Sequence, residues 1–375
     1  MKKLKKLFNK PGPFFRDYLI KKYPSVGNEQ NVIESHETVL INNDAKLLDF
    51  DLVGVKNIPV DIVYTWVDNK DEKWSKKYNA YREEYCENIA LYGSDLARFS
   101  NHDELFYSIY SVNKFLPWVR NIYVITDGQI PTWYPNNFSQ KIFFIDHRDI
   151  IDHEFLPTFN SHVIEAHLHK IPNLSESFLY FNDDVFVARE LTLEHFFRRN
   201  GIASIFVADK DLMAMHKRGV LTPTLSASLN CKVLIEKSHG VLINNPLVHT
   251  YIPLKKSVYE KAWKCYEQEI KSFLPNRFRS NDDLNLASFL VPWLMYLESV
   301  SVVSRDICYY FNIRSANAQM QYSKLLQKKQ FGQQPHSFCA NDFSSDYAIS
   351  DYQEQLQSML NQYYYFNEVI NESKI

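Results

Sequence analysis

Four apolar runs in this chain each stop on an acid: "IPVDIVYTWVD" on Asp68, "NIYVITD" on Asp127, "KIFFID" on Asp146, and "FLYFNDD" on Asp183 and Asp184. Short runs rich in Val, Ile, Phe and Tyr predict strands buried on both faces. Between them, "HDELFYSIYSVNKFL" places Leu105, Ile109, Val112 and Leu116 on one helical stripe, and "SHVIEAHLHKI" follows the same period. Strands alternating with helices predict an α/β fold with a doubly wound, mostly parallel sheet. Ligands of such sheets bind outside the carboxyl ends of the strands, so four acid-terminated strands predict one acidic rim there. From about residue 250 helical patterns dominate, broken by "DICYYFNIR" as a further strand, which predicts a C-terminal helical lobe. Residues 1–57 read as a basic, irregular segment, 58–345 as the main body and 346–375 as a helical tail.

Composition narrows the function classes. A chain of 375 residues that is 45% hydrophobic has a substantial core and is not disordered. Its net charge of -2 gives no overall attraction to nucleic acid, which is not expected as a partner. "MKKLKKLF" is locally basic and reads either as an anionic-surface contact or as a solvated terminus. No apolar run of signal-peptide length follows it, and none reaches the roughly 18 residues that span a bilayer. The five cysteines are scattered and never form CxxC, which excludes a disulfide framework or zinc ribbon and predicts a cytoplasmic location. None of the nine glycines falls in GxGxxG, GxxxxGK[ST] or GxSxG, so a nicotinamide dehydrogenase, P-loop kinase or α/β-hydrolase is not indicated.

Several side chains are candidates for chemistry. Asp183 and Asp184 read either as turn formers or as ligands for a divalent cation, because Mg²⁺ takes a few carboxylates together with phosphate oxygens. His162, Glu165 and His169 are spaced to share a helix face, yet neither HExxH nor HxxEH occurs, so a zinc protease is not indicated and Glu165 is the candidate for a sugar pocket. His249 falls in a loop ahead of a helix. Arg277 and Arg279 precede another helix, where a cation opposes the dipole and an anionic partner would relieve it.

Read together, "DIVYTWVDNKDEKW", "ARFSNHDELFYSIYSVNKFLPWVRNIYVITDGQIPTW" and "LPTFNSHVIEAHLHKIPNLSESFLYFNDDVFV" resemble the first two conserved blocks of the Stealth family. Counterparts of its later blocks follow in "NPLVHTYIPLKKSVYEKAWK" through "NRFRSNDDLNLASFL" and in "PHSFCANDF". That family holds bacterial capsular polysaccharide phosphotransferases and the animal N-acetylglucosamine-1-phosphotransferase. The resemblance implies a nucleotide-sugar transferase-like sheet and a hexose-1-phosphate transferase. Such an enzyme moves N-acetylglucosamine-1-phosphate or a related group from a UDP-sugar to a hydroxyl of a growing capsule glycan and releases UMP. The large insertions of the animal enzymes are missing, which points to the bacterial capsule branch, with other capsule enzymes and the inner membrane surface as further contacts.

Carried over by position, the resemblance implies functional roles for Glu165, Asn182, Asp184, His249 and Arg279. His249 has the ordinary pKa range of a general base near neutrality, and Arg279 would meet phosphoryl charge. Asp184, aided by Asp183, would hold Mg²⁺ or Mn²⁺. Thr65, Trp66 and Asp68, with Arg98 and Asp103, are the candidates for uridine and diphosphate contacts. Two other classes stay open: a metal-dependent glycosyltransferase that releases UDP, and a non-catalytic glycan-binding module using the many aromatics as stacking platforms.

Overall fold

In this computed structural model the strand-forming runs become β1 (Val60–Thr65), β2 (Asn121–Thr126), β3 (Lys141–Asp146) and β4 (Ser177–Asn182). The structure describes residues 27–48, 58–85, 99–134, 141–220, 222–342 and 349–364, with positions 11, 12, 15 and 19. The lysine-rich start and Arg98 lie outside the described residues. The main sheet has the order β3-β2-β1-β4-β7, parallel except for β7 (Ile252–Lys255), which pairs antiparallel with β4. Thr65, Thr126, Asp146 and Asn182 therefore end on one edge. Because β7 runs the other way, the residues that precede it reach that same edge, and these include His249.

β1 and β4 are buried along almost their whole length, as continuous apolar runs require when both faces are covered. The exception inside β1 is Asp61, fully buried, which accepts from Arg120 Nε at 2.8 Å and from Ser175 N at 2.7 Å. Its charge is paired and hydrogen-bonded, the condition under which burial is tolerated. The helix α1 (Glu104–Phe115) buries Leu105, Ile109 and Val112 as its periodicity predicts.

A second sheet joins β5 (Val185–Val187), β10 (Ser337–Asn341) and β9 (Cys308–Asn312). It follows β4 after only two residues, so the Asp183-Asp184 turn is clamped between the two sheets, and Ala340 N donates to Asp184 O at 3.0 Å. A third pair, β6 (Ala203–Phe206) and β8 (Ser301–Ser304), completes the strands. Among the described residues the C-terminal third thus mixes helices with four strands, β7, β8, β9 and β10, and is not a purely helical lobe. Within the stretch read as irregular, Glu34–Leu48 is a helix, and Asn28 bridges to Tyr309 of β9. Among the described residues no helix is long and apolar enough to cross a membrane.

Candidate active site

The carboxyl edge of the sheet is not the uniform acidic rim that four strand-end acids suggested. Asp68 accepts from Lys70 N at 2.9 Å and Asn101 Nδ2 at 3.0 Å, and its backbone exchanges bonds with the Gln129 side chain. Asp127 pairs with Lys77, and Asp146 caps His147–Ile150 while pairing with Arg148 at 2.8 Å. A strand-end aspartate is also well suited to closing the following turn or capping the next helix. Asp68 and Asp146 are engaged in that way and Asp127 by its ion pair, which leaves Asp183 and Asp184.

Asp184 is held on one oxygen and open on the other. Its Oδ2 accepts from Asn341 Nδ2 at 2.9 Å and lies 3.3 Å from Cys339 Sγ, both on β10. Its Oδ1 is buried, has no hydrogen-bond partner, and lies 3.9 Å from His249 Nε2. Asn182 Nδ2 is 3.5 Å from the same nitrogen, and Tyr310 meets the imidazole edge-on at 5.4 Å. Burial disfavours a charged His249, but the Asp184 and Glu29 carboxylates outweigh it and raise its pKa above the ordinary value. Burial works against the Asp184 charge as well, yet His249, Asn341 and Cys339 hold its pKa low. Asp183 has only backbone hydrogen bonds to hold it down, and burial together with the neighbouring Asp184 charge pushes it up to about 7. The His249 side chain remains 39% exposed, so the pair can be reached from solvent.

A second cluster sits beside the first. Glu165, near the end of the short helix Ser161–Glu165, accepts from Tyr180 Oη at 3.2 Å, and Tyr180 Oη lies 3.0 Å from Thr65 Oγ1. Arg279 reaches in from a loop and donates to Thr224 Oγ1 at 3.1 Å and to Ser161 Oγ. Desolvation lowers its pKa, with the opposing pull of Glu165, Asp283 and Tyr180. Tyr180 and Asn182 are two residues apart on β4, so they share a face at ~7 Å and the clusters are neighbours along one strand. The structure therefore brings together Glu165, Asn182, Asp183, Asp184, His249, Arg279 and Thr65.

Other expected residues behave differently. Helix 161–171 breaks after Glu165, so His162 turns to Asp283 at 3.0 Å while His169 stacks on Tyr259. Arg277 donates to Pro157 O at 3.2 Å and Glu154 O at 2.8 Å, a clamp between loops that needs no anionic partner. Asp103 is exposed, and its carboxylate accepts from Gln357 at 3.3 Å. Trp66 is core, but its Nε1 has no partner; the same holds for Thr126 Oγ1 and His147 Nδ1 at the ends of β2 and β3. Sequence reasoning missed Thr126 and His147. It also missed Asn341 and Cys339 as partners of Asp184, although "PHSFCANDF" had been singled out as a block.

Donor atoms of Asp184, His249 and Cys339 lie within 4.8 Å of one another, close enough to hold a metal ion. The unpartnered, buried Asp184 Oδ1 is what a divalent cation would satisfy, so this group fits one, while Asp183 is not among its gathered donor atoms. His195, Asp306 and His336 are equally close. Asp306, however, already accepts from His195 at 2.8 Å, from Ser337 at 2.9 Å and from Tyr251, which makes it a saturated hub beneath the His249 loop.

The mostly parallel α/β sheet thus carries the His249-Asp184 pair at its carboxyl edge, with the half-buried Arg279 in the neighbouring cluster. Residues 59–86 match Stealth protein CR1, conserved region 1, and residues 98–205 match Stealth protein CR2, conserved region 2. The Capsular polysaccharide phosphotransferase of Actinobacillus suis is 56% identical over 97% of this chain and 98% of its own length. That of Neisseria meningitidis, LcbA, is 54% identical over 97% of this chain and 100% of its own. This chain belongs to the Stealth family and is a transferase. The solved structure of galactosyltransferase LgtC with donor and acceptor sugar analogues aligns over 80% of this chain and 95% of that one, at 12% identity and a TM-score of 0.39.

Proposed function

We propose that this protein is a capsular polysaccharide phosphotransferase that moves a hexose-1-phosphate, N-acetylglucosamine-1-phosphate in our reading, from a UDP-sugar to a hydroxyl of a capsule glycan. The observation that carries it is the pairing of a solvent-reachable His249 with Asp184, in a chain whose full-length relatives bear that name. The acceptor oxygen bonds to the phosphorus next to the sugar as its proton passes to His249 Nε2. The phosphoanhydride bond breaks and UMP leaves, so the glycosidic bond survives and a phosphodiester forms. Arg279 meets the charge that spreads over the phosphoryl oxygens. Glu165 and Asn182 orient sugar or acceptor hydroxyls.

Asp183 and Asp184 would hold Mg²⁺ or Mn²⁺, which supplies charge neutralisation for the diphosphate. The unpartnered polar atoms of Trp66, Thr126 and His147, with Thr65 beside them, supply the nucleoside contacts. Arg98, outside the described residues, and Asp103 complete the uridine and diphosphate contacts of this proposal. A cytoplasmic setting at the inner membrane surface suits a UDP-sugar donor.

The test incubates purified protein with UDP-N-acetylglucosamine, Mg²⁺ and a short capsule-type oligosaccharide and identifies the released nucleotide by mass. UMP with a phosphodiester product supports the reading. UDP would make the enzyme a glycosyltransferase, and silence with this donor but UMP release from another UDP-sugar would change the hexose alone.

A further inference from the structure

We infer that the segment 28–31 is a brace for the His249 loop, and that Glu29 is a positioning residue that sets where the imidazole meets the substrate. The inference rests on His249 being the base of the proposed transfer. Glu29 Oε2 accepts from His249 N at 2.5 Å, across 220 positions of sequence, while Oε1 pairs with Lys210. The Glu29 side chain is only 9% exposed, so this is an enclosed, charge-assisted hydrogen bond to the backbone of a functional loop, the stronger kind.

The brace itself is fixed by polar anchors and not by apolar packing. Asn28 is buried, donating to Val32 O at 2.8 Å and Glu37 Oε1 at 2.7 Å. Gln30, also buried, donates to Val207 O at 3.1 Å and accepts from Asp306 N at 3.1 Å. Asp209 N donates to Glu29 O at 2.8 Å. The loop is pinned on both sides of His249: Val248 N donates to Phe206 O at 2.8 Å, and Thr250 Oγ1 lies 2.7 Å from Ser337 Oγ. At His249 itself, the amide is satisfied by Glu29. Without that acceptor the peptide carrying the imidazole can turn, and a displacement of about 1 Å at a reacting group costs on the order of 100-fold in rate.

The test separates reach from charge. Glu29→Gln keeps an oxygen that accepts the His249 amide and loses the charge. Glu29→Asp keeps the charge but withdraws the carboxylate by about one C–C bond, ~1.5 Å. Steady-state kinetics are measured for both, with Glu29→Ala and His249→Gln alongside and thermal midpoints recorded. We expect Glu29→Ala and Glu29→Asp to lose kcat by roughly 10- to 100-fold with donor KM within about twofold of the parent, and Glu29→Gln to recover most of it. Wild-type kcat in Glu29→Asp and Glu29→Ala, with His249→Gln inactive, overturns the brace and leaves the base intact. Active His249→Gln overturns the parent reading instead. A loss in all three Glu29 variants that tracks a drop in thermal midpoint makes the segment structural only and also overturns the brace.

Discussion

Asp184 Oδ1 stands 3.9 Å from His249 Nε2, too far for a hydrogen bond and close enough for strong electrostatic coupling. Asn341 and Cys339 fix the other oxygen, so the gap is set by the second sheet. A carboxylate at that distance tunes the imidazole without occupying it, and leaves room for a third participant between them.

The first prediction concerns that coupling. Asp184→Asn should lower kcat by roughly 100-fold or more, the usual size of a lost acid-base contribution, with the fold retained by circular dichroism. In the proposed transfer the base works as neutral imidazole, and the pKa of His249 is raised, so wild-type turnover should rise with pH through a midpoint above 6.5. Residual activity of the variant should have its midpoint shifted downward. Full activity with an unchanged profile would count against the assignment.

Metal dependence should itself depend on pH. The Asp183 carboxyl titrates at about 7, so a cation binding there must displace a proton below neutrality. The Mg²⁺ concentration for half-maximal turnover should rise as pH falls from 8 towards 6, and chelation should abolish turnover reversibly. A half-saturation point that ignores pH, or activity that survives chelation, would remove Asp183 from the cation site.

Arg279 is held by Thr224 and Ser161 beside Glu165. Arg279→Lys keeps the charge but loses the planar fork that grips a phosphoryl group. We expect kcat to drop by on the order of 100-fold, the scale seen for lost transition-state charge donors. A lysine variant with near-parental kcat would show that only a positive charge is needed.

Stability should be acid-sensitive because three histidines are buried neutral. Burial lowers His147 and His167 to about 4 and His169 to about 3 from an ordinary value of 6.5. Above 6.5 both folded and unfolded chains hold these rings neutral. As pH falls from 6.5 towards 4 only the unfolded chain takes up the protons, so stability falls, by about 2 kcal/mol per histidine at pH 5. A urea unfolding midpoint that is the same at pH 7 and pH 5 would contradict this.

What the sequence determined by itself was the alternation of buried strands and amphipathic helices, and with it the parallel sheet and the edge where chemistry gathers. Those patterns are local: β1, β2, β3 and β4 declare themselves by β-branched and aromatic runs and the helix stripe by its period, although β1 carries Asp61 and β3, at the sheet edge, is only partly buried. The block around "FNDD" was legible too, because it ends a strand, whereas His249 read only as a loop residue ahead of a helix and drew its role from the family resemblance. Tertiary structure decided the partners of the other acids. Asp146 is engaged locally by Arg148, but Asp68 and Asp127 look like Asp184 in sequence, and only their distant partners Asn101 and Lys77 show that they are engaged. It also decided that Glu29 meets His249 and that Asn341 holds Asp184, contacts across 220 and 157 positions. Hydrogen bonds of that span leave no periodicity in the chain, since nothing local requires a glutamate at 29 or an asparagine at 341.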